Sequence, residues 1–223
     1  MGMPIKLVFI LILTVLIPGV WAQTWEISGA FTGYFPQDSL WQGQVQGQEV
    51  QLAYWTADRR LGVALNTGQT SWDVDSQVVR HTDAVADTLS GQTDFHYVGL
   101  SLLTSTEIPE SPWFRMSLEA GLAYVTCDTD MRIAHTLDLG GGMTDTESFD
   151  LTEQDNHAWV ARIAASVELS PDERGSLIKF FAKLGYQFDL DPATVVESTW
   201  LGYQQDLHLS GGFVQLGAII AIP

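Results

Sequence analysis

The stretch Ala158–Leu190 constrains this chain most, because its side chains alternate with a period of two on both sides of a short turn. Trp159, Ala161, Ile163, Ala165 and Val167 share one face, opposite Val160, Arg162, Ala164, Ser166 and Glu168. After Ser170-Pro171-Asp172-Glu173-Arg174-Gly175-Ser176, turn chemistry throughout, the pattern resumes. Ile178, Phe180, Ala182, Leu184, Tyr186 and Phe188 oppose Lys179, Phe181, Lys183, Gly185, Gln187 and Asp189. Period two over this length is a β-hairpin with one apolar and one polar side.

The unit repeats along the chain. Strands are predicted at 23–35, 49–56, 60–66, 93–104, 113–126, the two of the hairpin, and 206–222. The alternation of the last one slips near Gly211-Gly212, where Leu207 and Leu209 give way to Val214, Leu216, Ala218 and Ile220, which a β-bulge would explain. Segments 36–48, 73–92, 127–156 and 191–205 read as long connections, with hairpin extensions around Met131–Leu139. Short turns and long loops alternate. In a closed meander this gathers all the short turns at one end, as in a transmembrane β-barrel.

Before these strands lies a leader. Lys6, the apolar run Leu7–Ile17, the break Pro18-Gly19 and the site Val20-Trp21-Ala22 predict a cleaved signal peptide, residues 1–22, with Gln23 first in the mature chain. The remainder, 23–223, is expected to be one barrel domain of about 200 residues. Cys127 is the single cysteine, so internal disulfides are excluded and a buried, inert thiol is expected. A net charge of −17 argues against a nucleic-acid partner.

A soluble sandwich or barrel would also alternate, and an exported binding protein of that kind is the first alternative. The inventory of faces favours a membrane. Aromatics sit near strand ends: Trp25, Tyr54, Phe114, Tyr124, Trp159, Phe180, Tyr186 and Phe188, placed to form interfacial girdles. The polar faces collect Glu26, Glu49, Glu119, Glu168 and Asp189 with Arg60, Arg115, Arg162, Lys179 and Lys183. Equal numbers of each sign, in a chain of 27 acids and ten bases, fit a narrow lumen in which buried charges must be paired. Ala30, Gly62, Gly99, Gly121, Ala164 and Gly185 would leave room there for long side chains.

In its eight alternating strands, aromatic ends and charged lumen, the chain resembles the small outer-membrane β-barrel proteins of Gram-negative bacteria, the group of the outer membrane protein A transmembrane domain. The resemblance is one of architecture. It implies an all-β, eight-stranded antiparallel up-and-down transmembrane β-barrel in the outer membrane. The implied role is structural, in surface interaction, or as a narrow, porin-like pore, with a monomer contacting outer-membrane lipid. The chain departs from the group by closing on Ile220-Ala221-Ile222-Pro223 where such proteins finish on an aromatic residue.

Chemistry is sparse. His208 and Ser210 recur at i and i+2, similar to the His-x-Ser pair of lipid A deacylases, and are weak catalytic candidates for an enzyme acting on envelope lipid. Those enzymes continue with Asn and add a downstream glutamate. Here Gly211 follows, no acid comes after Asp206, and the pair is expected to face the lumen. Asp73-x-Asp75, Asp128-x-Asp130 and Asp189-x-Asp191 offer carboxylates for divalent cations or surface ligands at acidic external loops, without the ladder of a dedicated calcium loop. His81, His96, His135 and His157 are too dispersed for ligand spacing to be read. No cofactor and no metal site is expected.

Overall fold

The computed structural model describes residues 24–37, 45–56, 60–82, 84–107, 113–140, 142–153, 156–171, 177–191, 194–198 and 201–222. The predicted leader and its cleavage site lie outside these residues, as do Asp172–Ser176 of the hairpin turn. Among the described residues there are twelve strands: β1 Thr24–Pro36, β2 Val45–Trp55, β3 Leu61–His81, β4 Val85–Glu107, β5 Phe114–Gly140, β6 Met143–Asp150, β7 Thr152–Glu153, β8 His157–Leu169, β9 Ile178–Asp189, β10 Thr194–Ser198, β11 Tyr203–Leu207 and β12 Gly211–Ile222.

Eight of them close into a ring in the order β4-β3-β2-β1-β12-β9-β8-β5, sealed by β4–β5. Every pairing in the ring is antiparallel. The fold is an eight-stranded up-and-down transmembrane β-barrel. The hairpin 158–190 forms two adjacent staves, with Val167 opposite Ala182 and Ile163 opposite Tyr186.

The outward face is an apolar band. On β5 it runs from Phe114 through Met116, Leu118, Ala120 and Leu122 to Tyr124, all exposed. Eleven residues at ~3.3 Å each and a tilt of ~40° make a band about 25 Å tall. Aromatic pairs border it: Trp25 on Tyr54 at 4.9 Å near the short-turn end, Tyr124 on Trp159 at 5.3 Å and Tyr186 on Phe188 at 4.6 Å near the other. Tyr54 keeps outward parity but is buried under the Trp25 ring.

Beyond Tyr124 the two faces exchange character while the parity of the strand is unbroken. Outward positions become Thr126, Asp128, Asp130 and Arg132; inward ones change from Arg115, Ser117 and Glu119 to Ala123, Val125, Cys127, Met131 and Ile133. Water has replaced lipid outside, so the apolar residues have moved inside. The inward residues build an apolar core above the band from Val45, Trp72, Val74, Leu89, Phe95, Val125, Met131, Ile133, Leu151, Val160, Leu207 and Leu209.

This inversion corrects several expectations. Residues 73–92 are not a long loop: β3 runs to His81 and β4 starts at Val85. Trp72, Val74 and Leu89 face inward there, and register shifts at Val74/Gln77 and Val78/Arg80 break the period, so the apolar-out pattern disappears from the sequence. Segment 191–205 likewise holds β10 and most of β11, which form a second small sheet with β7. The slip near Gly211 is no β-bulge, since β12 pairs with β1 and β9 without a register shift. Leu207, Leu209, Phe213, Gln215 and Ile219 are all inward and buried. The apolar residues change face because the surroundings change.

Candidate functional site

The lumen is crossed at mid-height by one polar layer to which all eight barrel strands contribute. Arg162 of β8 donates from Nη2 to Glu49 Oε2 of β2 at 2.9 Å. The same oxygen accepts from the Tyr97 hydroxyl of β4 and from Gln215 Nε2 of β12 at 2.8 Å. Gln215 also donates to Thr32 Oγ1 of β1 at 3.1 Å. Lys183 of β9 bridges Glu119 Oε2 of β5 at 2.7 Å and Glu49 Oε1 at 3.8 Å. Glu119 Oε1 accepts from Ser101 Oγ of β4 at 2.7 Å and Asn66 Nδ2 of β3 at 3.0 Å. Each carboxylate thus holds a cation and at least two neutral donors, the condition under which buried ion pairs are tolerated.

The Arg162 guanidinium is sandwiched between the rings of Tyr97 and Phe213, whose centroids lie 5.0 and 4.7 Å away. Small residues make room for those rings. A Cβ on Gly185 would overlap Phe213, and one on Gly68 would overlap Tyr97. The lumen glycines Gly62, Gly68, Gly185 and Gly217 therefore make room for aromatic rings, where the sequence suggests room for long cations.

Below this layer Lys179 Nζ lies 3.0 Å from Glu26 Oε1 and 3.8 Å from Glu168 Oε2, and Ser117 Oγ donates to Glu168 at 3.2 Å. Arg115, half-buried, stands opposite Glu168 in the β5–β8 register. Trp55, with Ala53, Ala64 and Leu103, fills the short-turn mouth. Two cavities of about 30 Å³ flank the polar layer, one lined by Glu26, Gln51, Glu168 and Lys183, the other by Tyr34, Thr70, Arg162 and Phe213. Each has room for a water or two.

Nine of the ten predicted lumen charges thus line the interior: Glu26, Glu49, Glu119, Glu168 and Asp189 with Arg115, Arg162, Lys179 and Lys183. Arg60 is exposed at the short-turn rim, where it precedes β3 and takes no part in the layer. Asp189 sits at the opposite rim, where Oδ2 accepts from Leu209 N–H at 2.6 Å and lies 3.3 Å from His208 Nδ1. Charge reasoning missed the neutral partners Tyr97 and Gln215. The outward parity of Val98, Val214 and Leu216 could have found them.

His208 and Ser210 do not face the lumen as expected. Leu207 and Leu209 take the inward positions in the apolar core, leaving His208 exposed. Ser210 Oγ accepts from the Asp189 backbone N–H at 2.9 Å, so the serine ties the end of β9 to the residues before β12. Of the Asp-x-Asp residues, Asp73, Asp128, Asp130 and Asp191 are exposed, while the Asp189 side chain is buried. Asp191 Oδ1 caps Trp159 N–H at 2.8 Å, and Asp94 stands opposite Asp128 between β4 and β5. Among the described residues no group of three or more His, Cys, Asp or Glu side chains is arranged to hold a metal ion.

Neither a protein-family model nor a curated protein sequence matches this chain. Its structure is similar to that of a major outer membrane protein from Thermus thermophilus, with a TM-score of 0.52 and 10% identity over 91% of this chain and 100% of that one. It is also similar to Neisserial surface protein A (TM-score 0.48, 13% identity, 91% and 98% covered). A third structure is the N-terminal β-barrel domain of Pseudomonas aeruginosa OprF (TM-score 0.42, 14% identity, 89% and 97% covered). At these identities the likeness is one of fold, and the fold is that of the small outer-membrane β-barrels.

Proposed function

We propose that this chain is a non-enzymatic, non-conducting barrel of the bacterial outer membrane whose work is to hold a folded β-structure at the cell surface for interaction. The carrying observation is the sealed interior. A passage along the axis meets the Val125–Ile133–Leu209 core, then the Arg162–Glu49–Lys183–Glu119 layer, then Trp55. An eight-stranded barrel has room for side chains and little else. The partners of His208 and Ser210 support the non-enzymatic part of the reading: the imidazole lies against Asp189 Oδ2 and the serine hydroxyl accepts from the Asp189 backbone N–H, whereas a nucleophile needs a hydrogen bond to its base.

The test is paired. Purified protein in planar bilayers is expected to give no discrete conductance, and discrete steps would return the narrow pore to first place. An epitope inserted at the β3–β4 turn, Thr82–Ala84, is expected to be labelled on intact cells. Labelling only after the envelope is broken would overturn the surface role.

A further inference from the structure

We propose that the open edge of β6 is a docking strand for an extended, cationic polypeptide segment, which would add to the external sheet as its next strand. The inference rests on the surface reading above and goes further by naming a site and a partner chemistry.

Above the band, β3, β4, β5 and β6 form a sheet, and among the described residues β6 pairs with β5 alone. Leu151 N–H donates to Met131 C=O at 2.9 Å. By the alternation of an antiparallel ladder, the odd residues of β6 direct their backbone groups to β5. Thr144, Thr146, Ser148 and Asp150 direct theirs to the open side. Residues Met143–Ser148 are all exposed.

Natural edges of this length are blunted with charged side chains, Lys above all, or with Pro, a bulge or a covering element; of these β6 carries charge alone, and that charge is acidic, so it repels a like strand and accepts a cationic one. The sequence MTDTESFD contains neither Lys nor Pro, and its register against β5 is regular from Thr144 to Asp150. Its charges are Asp145, Glu147 and Asp150, and Asp150 is bridged to Arg132 at 2.8 Å. Asp145 and Glu147 stand two residues apart on one face, the spacing of alternate side chains on an added strand.

This charge pattern also selects the occupant. Antiparallel pairing of two copies about Thr146 would set Asp145 of one opposite Glu147 of the other, and like charges directly opposite are destabilising. A strand with Lys or Arg at alternate positions meets complementary charge at both. The edge supplies affinity through main-chain hydrogen bonds and the acids supply selectivity.

The test uses the mature chain in nanodiscs of zwitterionic lipid and a labelled eight-residue peptide of alternating Thr and Lys. Saturable binding is expected. It should weaken at least about tenfold in Thr146→Pro, which removes an edge donor while leaving the β5 ladder intact, and in the double variant Asp145→Lys/Glu147→Lys. The same loss is expected when alternate peptide nitrogens are methylated, a comparison that needs no variant of the protein. Absence of saturable binding, or equal binding of the methylated peptide or of a folded Thr146→Pro variant, would overturn the proposal and reduce the edge to an acidic surface. Surface labelling of intact cells is scored separately, so a negative peptide result does not touch the surface role.

Discussion

Arg162 shows how much one lumen residue can carry. Its guanidinium is buried, ion-paired to Glu49 and clasped by two rings, so removing it leaves the Glu49 carboxylate only the more distant Lys183, 3.8 Å away, in a site closed to bulk water. Arg162→Ala is expected to destabilise the barrel by about 3–5 kcal/mol, the range for breaking a buried pair from one side. Urea unfolding in lipid vesicles reads this directly. The double variant Arg162→Met/Glu49→Gln should recover a large part of the loss, because it removes the orphaned charge with its partner. A smaller cost for the single variant than for the double would invert this account of the layer. The charged members were legible in the sequence because parity and sign could both be counted. Arg60 was misplaced because counting ignores where a strand begins. Tyr97 and Gln215 carry no charge to count, and Phe213 was hidden by the supposed slip of β12.

At the scale of the strand, β5 records the membrane boundary in its own residues. The same even-numbered positions are Leu118 and Leu122 within the band and Asp128 and Asp130 above it. A single substitution type should therefore have two outcomes on one face of one strand. Leu118→Arg places a cation against hydrocarbon and is expected to cost about 2–4 kcal/mol. Asp130→Arg, twelve residues further along the strand and exposed to water, should fall within about 0.5 kcal/mol of the parent. Both are measured by folding into vesicles at rising urea, and equal costs would mean that the boundary is not at Tyr124. The strands within the band were legible because lipid outside and charge inside give a clean period of two. Above the band the pattern is inverted and interrupted by register shifts, so 73–92 read as loop although it is mostly strand.

The whole molecule is two cores on shared strands. Below Tyr124 the ring is closed by hydrogen bonds on every stave, and opening any of them in hydrocarbon would leave unsatisfied backbone groups at several kcal/mol each. Above it, the apolar core depends on side-chain packing in water, with Ile133 and Trp72 fully buried. The two regions should then fail separately. Ile133→Ala creates a cavity in the upper core and is expected to cost about 2–5 kcal/mol there, fourteen residues along β5 from Glu119 of the polar layer. In vesicles the variant should be nicked by a broad-specificity protease within β4–β6 far faster than the parent. The membrane-embedded part should still migrate as a compact species in unboiled SDS gels and shift on boiling. Loss of that compact form together with the upper core would show that the external structure is a support of the barrel. Its retention would fit a barrel that stands alone and carries the surface structure as cargo, which is the division of labour that a closed lumen and an exposed β6 edge together require.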